Sequence, residues 1–270
     1  MRNIPFFLLV LIMISCKDSP QKKSETEAEA VPVTAEKEKY PPAMSKVFEA
    51  HGGLALWRKQ KHLSYEMPKK SGLEKHTIDL YSRKDVVETE DFSMGFDGTD
   101  VWLSDPEGKY KGDPVFYHNL MFYFYAMPFV LADDGIQYFD TDPIVYDGIS
   151  YPGIGVRYEA GIGTSPEDEY YLHFEPETHQ MAWLGYTVTY RTGMPSDDIH
   201  WIRYDDWMEV SGILLPKSMT WHKVEEGKIG EPRNTVPFQN VEISEKAVAE
   251  EVFAKPENAE IRKPVNTSEE

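Results

Sequence analysis

The sequence holds a single cysteine, Cys16, in 270 residues. One cysteine excludes any intramolecular disulfide and any CxxC metal or redox motif, so the fold must stand on its apolar core. After residue 15 no apolar run approaches the roughly 20 residues that a helix needs to cross a bilayer. Chemical signatures are scarce too. There is no HExxH, no His-x-His and no GxSxG. The stretches Gly153-Ile154-Gly155 and Gly161-Ile162-Gly163 lack the Lys-Ser/Thr and the strand-to-helix switch of a phosphate loop, and read instead as bends or bulges in long strands. Cations are outnumbered: the formal net charge of −18 disfavours nucleic acid and anionic head groups as partners.

What is present begins at the N-terminus. Arg2 supplies a positive start, residues 6–14 an apolar run and Ser15 a small residue, the three regions of a secretory signal. Met13-Ile14-Ser15-Cys16 resembles a lipobox, so the expected mature chain starts at Cys16 with lipid on its thiol. Two or more acyl chains give stable anchoring where one does not. Lys17 and Asp18 after the cysteine do not match the Asp-after-Cys retention signal of enteric bacteria, which favours the outer over the inner membrane.

Residues 17–40 are rich in Lys, Glu, Ser, Ala and Pro, a composition that cannot bury enough surface to offset chain entropy and reads as a tether. Residues 41–264 have the composition of one folded domain, expected to be monomeric, and 265–270 read as a polar, disordered tail.

Period-two patterns at 76–82, 100–103, 170–174, 185–190, 200–205 and 213–222 are rich in β-branched and aromatic residues and predict strands. Asp97-Gly98, Asp147-Gly148 and Glu226-Gly227 lie between such runs and predict antiparallel hairpins. Three helical patches interrupt the meander. Residues 42–57 carry Met44, Val47 and Phe48 at helical spacing before His51-Gly52-Gly53 ends the turn. Residues 244–253 predict a helix capped by Ser244, with Ala247, Val248 and Val252 inward. Residues 114–131 are the most apolar stretch of the domain. Pro114 suits a first turn and Pro128 breaks the helix, which is expected to lie across the concave face of the sheet.

A curved antiparallel sheet, an interrupting apolar helix and the ending Val252-Phe253-Ala254-Lys255-Pro256 resemble the LolA and LolB lipoprotein-localisation superfamily. More narrowly, His51-Gly52-Gly53, Phe96-Asp97-Gly98-Thr99-Asp100-Val101-Trp102 and His118-Asn119-Leu120-Met121-Phe122-Tyr123 resemble an uncharacterised family of Bacteroidota lipoproteins, over most of residues 45–255. The broad resemblance implies a mainly β, α+β fold: an incomplete β-barrel with a few helices across its concave face, around a cavity for acyl chains. An anchored chain departs from the soluble carrier of that superfamily.

Residues of catalytic type read more simply. His173 and His222 sit on strand patterns, where a lone His is usually a half-buried aromatic with one hydrogen bond. Asp133-Asp134 and Asp197-Asp198 read as solvated turns. No cofactor and no metal are expected. The aromatic residues, 13% of the chain, are either core or pocket lining. The reading that follows is a lipid-anchored, non-enzymatic binder of a lipid, acyl chain or other apolar ligand, with Phe116, Leu120, Tyr123, Met127 and Trp102 lining the cavity. The alternatives are a cell-envelope scaffold with a filled core and, third, an envelope hydrolase.

Overall fold

A computed structural model describes residues 39–159 and 167–264. The signal segment, Cys16 and residues 265–270 lie outside the described residues, as does Gly161-Ile162-Gly163. Two seven-stranded antiparallel sheets make up most of the fold. The first takes β1 (His62–Lys69), β2 (Gly72–Asp79), β3 (Asp85–Glu88), β4 (Ser93–Phe96) and β5 (Val101–Ser104) in sequence order. The second takes β6 (Ile136–Tyr146), β7 (Ile149–Tyr158), β8 (Glu169–Phe174), β9 (Met181–Tyr186), β10 (His200–Val210), β11 (Ile213–Glu225) and β12 (Lys228–Pro237), again in order. The chain then returns: β13 (Gln239–Ser244) pairs with β1, and β14 (Glu260–Arg262) pairs with β5. The result is an incomplete barrel, with β6 left as an edge of its sheet. Asp140, Asp142 and Pro143 on β6 blunt that edge against further pairing.

Turn chemistry sets the meander. Asp147 and Gly148 (φ 49° and 76°), Ser211 and Gly212 (54° and 80°), and Glu226 and Gly227 (53° and 76°) are pairs with φ positive at both residues. That is the two-residue type I′ geometry whose twist matches the flanking strands. Alternation then sorts the faces: Leu63, Tyr65 and Met67 of β1 point into the space between the sheets, where Leu184, Ile202, Tyr204 and Leu215 meet them.

Helix α1 (Pro42–Ala50) closes one end of this space with Met44, Val47 and Phe48, as the periodicity predicts. Gly52, at φ 104°, lets the helix end run against the β10–β11 turn, where a Cβ would lie 2.3 Å from the Gly212 carbonyl oxygen. The short helix α2 (Leu54–Trp57) follows, and no helix among the described residues is long and apolar enough to cross a membrane.

Two predicted elements differ. Residues 244–253 are not a helix: Ser244 is the last residue of β13, paired with His62, and only Glu250–Val252 forms a 3-10 turn. Val252 is exposed and Phe253 is buried instead. The strand expected at 185–190 is Met181–Tyr186. Beyond it the Thr189 amide and hydroxyl donate to Asp168 Oδ1 at 2.6 and 2.7 Å, and the Glu169 amide donates to Thr187 Oγ1 at 2.9 Å, bonds that replace the ladder.

Candidate functional site

The link between β5 and β6 crosses from one sheet to the other, and it carries the apolar run singled out by sequence. The expected single helix is three short pieces: α3 (Pro114–Tyr117), α4 (Leu120–Tyr125) and a 3-10 turn, Phe129–Ala132. Asp113 starts the first by accepting the Val115 amide at 2.9 Å. Pro128, which has no N–H to donate, separates the second from the third. Breaking the run lets its residues face several directions. Met121, Phe122, Phe124, Tyr125, Ala126, Met127, Phe129, Val130 and Leu131 are all buried in the main core between the sheets.

Polar side chains fasten this segment at its borders. On the first sheet, Tyr117 donates to Glu74 Oε1 at 2.7 Å, and His76 Nε2 lies 2.9 Å from the same oxygen, with Lys69 Nζ at 3.7 Å. Burial pushes the Glu74 carboxyl up, but His76, Lys69 and Tyr117 outweigh it and hold the group below its usual value. Burial, together with the Glu74 carboxylate beside it, raises the Tyr117 phenol. His118 Nδ1 lies 2.6 Å from Asp85 Oδ2. On the other side Tyr204 donates to the Phe124 carbonyl at 2.8 Å, Tyr40 to Ala132 O at 3.3 Å, and Tyr138 to Leu131 O. These hydroxyls satisfy carbonyls that an irregular, buried backbone would otherwise leave unpaired.

One cleft opens onto the main core. Its volume is about 350 Å³, and Trp57, Leu80, Phe129, Arg58, Arg83 and Asp133 line it. Trp57 and Phe129 stack with centroids 4.6 Å apart and planes within 5°, forming an apolar floor. Arg83 Nη2 bridges both Asp133 oxygens at 2.6 and 2.7 Å, and its guanidinium lies over the Phe122 ring at 5.2 Å. Asp133 is therefore not a solvated turn residue: it is half-buried, and burial raises its carboxyl, with Arg83 opposing. Asp134 is exposed on Lys39, as a turn residue should be.

The predicted cavity residues fall in three places. Leu120, Tyr123 and Met127 belong to the main core or pack on it, and Met127 is wholly buried. Phe116 turns away and packs on Tyr190, with centroids 4.9 Å apart. Trp102 lies in a separate cluster with Val86, Phe253 and Ala259, its Nε1 donating to Phe253 O at 3.3 Å. The structure does not bring Phe116 and Trp102 together with the other three. Among the tryptophans, Trp183 and Trp201 also form a cluster apart from the main core, with Tyr151.

His173 and His222 each bond one carbonyl, Tyr151 O at 3.2 Å and Gly230 O at 2.8 Å. Among the described residues no group of three or more His, Cys, Asp or Glu stands together to hold a metal ion. Sequence reading missed the buried polar residues under the segment, Glu74, His76 and Asp85. Their one signal was charge on the inward period of β2 and β3, and neighbouring turns mask it.

No family model matches the chain, and no curated protein matches it. Among solved structures it is similar to a LolA superfamily protein from Nitrosomonas europaea, at 10% identity over 79% of this chain and 96% of that one, with a TM-score of 0.49. A DUF1329 family protein from Desulfovibrio piger is similar at 11% identity over 80% and 98%, with a TM-score of 0.47. The Mycobacterium tuberculosis lipoprotein LppX is similar at 12% identity over 54% and 88%, with a TM-score of 0.24. At these values the likeness concerns the course of the chain and carries nothing about a ligand.

Proposed function

We propose that this chain is a non-enzymatic protein of the cell envelope, anchored at the outer membrane by lipid on Cys16, that binds an apolar ligand between its two sheets. The observation that carries the reading is the segment 120–132. It fills the interior with apolar side chains, yet belongs to no strand ladder and is fastened by hydroxyl-to-carbonyl bonds and an arginine–aspartate pair at its end. An element held in this way can be exchanged for a ligand without unpairing either sheet.

Magnitudes limit how the exchange proceeds. Burying one large apolar side chain contributes roughly 1.5–3 kcal/mol, so expelling Phe122, Phe124, Tyr125, Met127, Phe129, Val130 and Leu131 together would cost about 10–20 kcal/mol, comparable to or above the ~5–15 kcal/mol that holds a domain folded. The segment therefore yields from one end. A cleft meets the 3-10 turn at Phe129, where Trp57 and Leu80 present an apolar floor that continues into the main core. A ligand enters there and runs toward Met127, Tyr123 and Leu120. Native mass spectrometry of detergent-free protein, with fluorescent fatty acid as competitor, tests this. A one-to-one complex displaced by the competitor is expected; absence of both co-purified lipid and probe binding would sink the reading.

A second reading, a filled scaffold of the envelope, is favoured by one observation: Met127, Val130 and Leu131 have no solvent exposure at all. The same experiment separates the two, since a scaffold binds no probe and retains a protein partner after crosslinking.

A further inference from the structure

We infer that the interior ligand carries an uncharged, hydroxyl-bearing head, as in a long-chain alcohol or a glycerol monoester, and that this head lies deep, against Tyr65, Tyr125 and Asp85. This rests on the reading that an apolar ligand enters at Phe129. Three polar atoms are its starting point: Tyr65 Oη, Tyr125 Oη and Asp85 Oδ1 are buried, and none has a hydrogen-bond partner among the described residues. Both tyrosines are wholly buried and Asp85 is 2% exposed. The great majority of buried polar groups in folded proteins are paired, because an unmade bond forfeits the hydration that burial removed.

The three atoms come from three elements and share one region. Tyr65 lies on the inward face of β1 and Tyr125 at the end of α4, with ring centroids 4.3 Å apart, and Phe238 packs on both. Burial raises the Tyr65 phenol well above its ordinary value, and Tyr125, Tyr117, Glu74 and Asp85 lie near enough to add to that rise. Burial raises Tyr125 as well. Both phenols therefore keep their protons and can donate, while the carboxylate oxygen of Asp85 accepts. In the chain, Tyr125 stands between Phe129, where the cleft opens, and Tyr123, so the ligand's path passes it.

Donors and acceptor together select the head. A carboxylate offers Asp85 no proton, and it would be stripped of water beside two carboxylates, Asp85 and Glu74, whose partners His118, His76 and Lys69 are already engaged. An ammonium suits Asp85 but gives the phenols nothing to donate to. A hydroxyl donates to Asp85 and accepts from one phenol at once, and a neighbouring hydroxyl or ester carbonyl accepts from the other. The tail then lies back along Met127 and Phe129 toward the floor of Trp57 and Leu80.

Three probes are titrated into the full chain, each below its aggregation threshold: monooleoylglycerol, oleate, and diphenylhexatriene, which has no polar atom. Monooleoylglycerol is expected to bind at least about tenfold more tightly than oleate. Tyr65→Phe and Tyr125→Phe should each weaken it about fivefold and leave diphenylhexatriene unchanged. Tyr171→Phe, whose hydroxyl bonds Glu169 outside the main core, should leave all three probes unchanged. Neither interior variant should melt below the parent, since the hydroxyl removed bonds nothing in the fold. Oleate bound as tightly as the glycerol ester, or phenylalanine variants that keep the parent's affinity for that ester, would overturn the inference. A lowered melting temperature with that affinity intact would do the same, by assigning the hydroxyls to the fold. In each of these cases diphenylhexatriene still binds, and the interior ligand stands without this head. If no probe binds the parent, both readings fall.

Discussion

His118 on the inserted segment and Asp85 on β3 meet through Nδ1 and Oδ2 at 2.6 Å, with side-chain exposures of 8% and 3%. The second oxygen of Asp85 is buried and has no hydrogen-bond partner among the described residues. Asp85 therefore depends on one ring for its stabilisation. Replacing His118 with Leu leaves a buried carboxylate unpaired and should cost about 3–5 kcal/mol in urea unfolding. Adding Asp85→Leu should restore part of that loss, because the charge goes with its partner. Strict additivity of the two costs would show that the pair does not act as one.

Glycine gives a contrast between two kinds of close approach. A Cβ on Gly52 would sit 2.3 Å from the Gly212 carbonyl, at φ 104°, so backbone must move. A Cβ on Gly155 would sit 2.2 Å from the Phe139 ring, which belongs to an edge strand and can rotate away. Gly52→Ala should therefore cost several kcal/mol, about 3 or more, and no side-chain change should rescue it. Gly155→Ala should cost about 1–2 kcal/mol and be relieved by Phe139→Leu. Thermal melts of the three variants check the order.

These positions show what sequence could reveal. Hairpin turns at Asp147-Gly148 and Glu226-Gly227 were legible because positive φ has few chemical solutions. Met44, Val47 and Phe48 were legible because helical spacing encodes one buried face. The stretch 114–132 was legible as apolar and as broken at Pro128, but its earlier break after Tyr117 was not, since that one answers to Glu74 and Asp85, residues remote in the chain. The same limit applied to Ser244, whose capping chemistry was real but whose backbone was already committed to β1. Gly153 and Gly155 were read as bend positions. A register shift does lie nearby, between Thr141 and Ile144, but the glycines themselves make room for the rings of His173 and Phe139.

Acid should weaken the fold through two histidines. Burial lowers both His51 and His173 from the ordinary 6.5 to about 4, with bonds to Val47 O and Tyr151 O opposing. Between those values the unfolded chain binds protons that the folded chain refuses, so stability is complete above pH 6.5 and falls as pH drops toward 4. The limit for each ring is about 3 kcal/mol. His51→Asn and His173→Asn keep a donor for the carbonyl but cannot titrate here, so the slope of melting temperature against pH should flatten in each. An unchanged slope would assign the acid sensitivity elsewhere.

Anchoring is tested chemically. Radiolabelled palmitate should enter the protein in growing cells and vanish with Cys16→Ala, which should also move the protein from the membrane to the aqueous fraction. Label retained by the variant would place the lipid on another residue.

The tie between Arg83 and Asp133 should govern the cleft at the Phe129 end of the segment. It joins the β2–β3 turn to the residue after the 3-10 turn, and both side chains are about a third exposed. Solvent screening reduces such a pair to about 1 kcal/mol, which corresponds to roughly a fivefold change in an opening equilibrium. Asp133→Asn should therefore leave global unfolding within about 1 kcal/mol of the parent. Amide exchange at Phe129, Val130 and Leu131 should rise by that factor, while α1 exchanges as before. Fluorescent fatty acid should bind faster by a similar factor, because entry requires the same local opening. If exchange rises and uptake does not, the ligand enters elsewhere; if exchange itself is unchanged, the pair does not hold the segment closed.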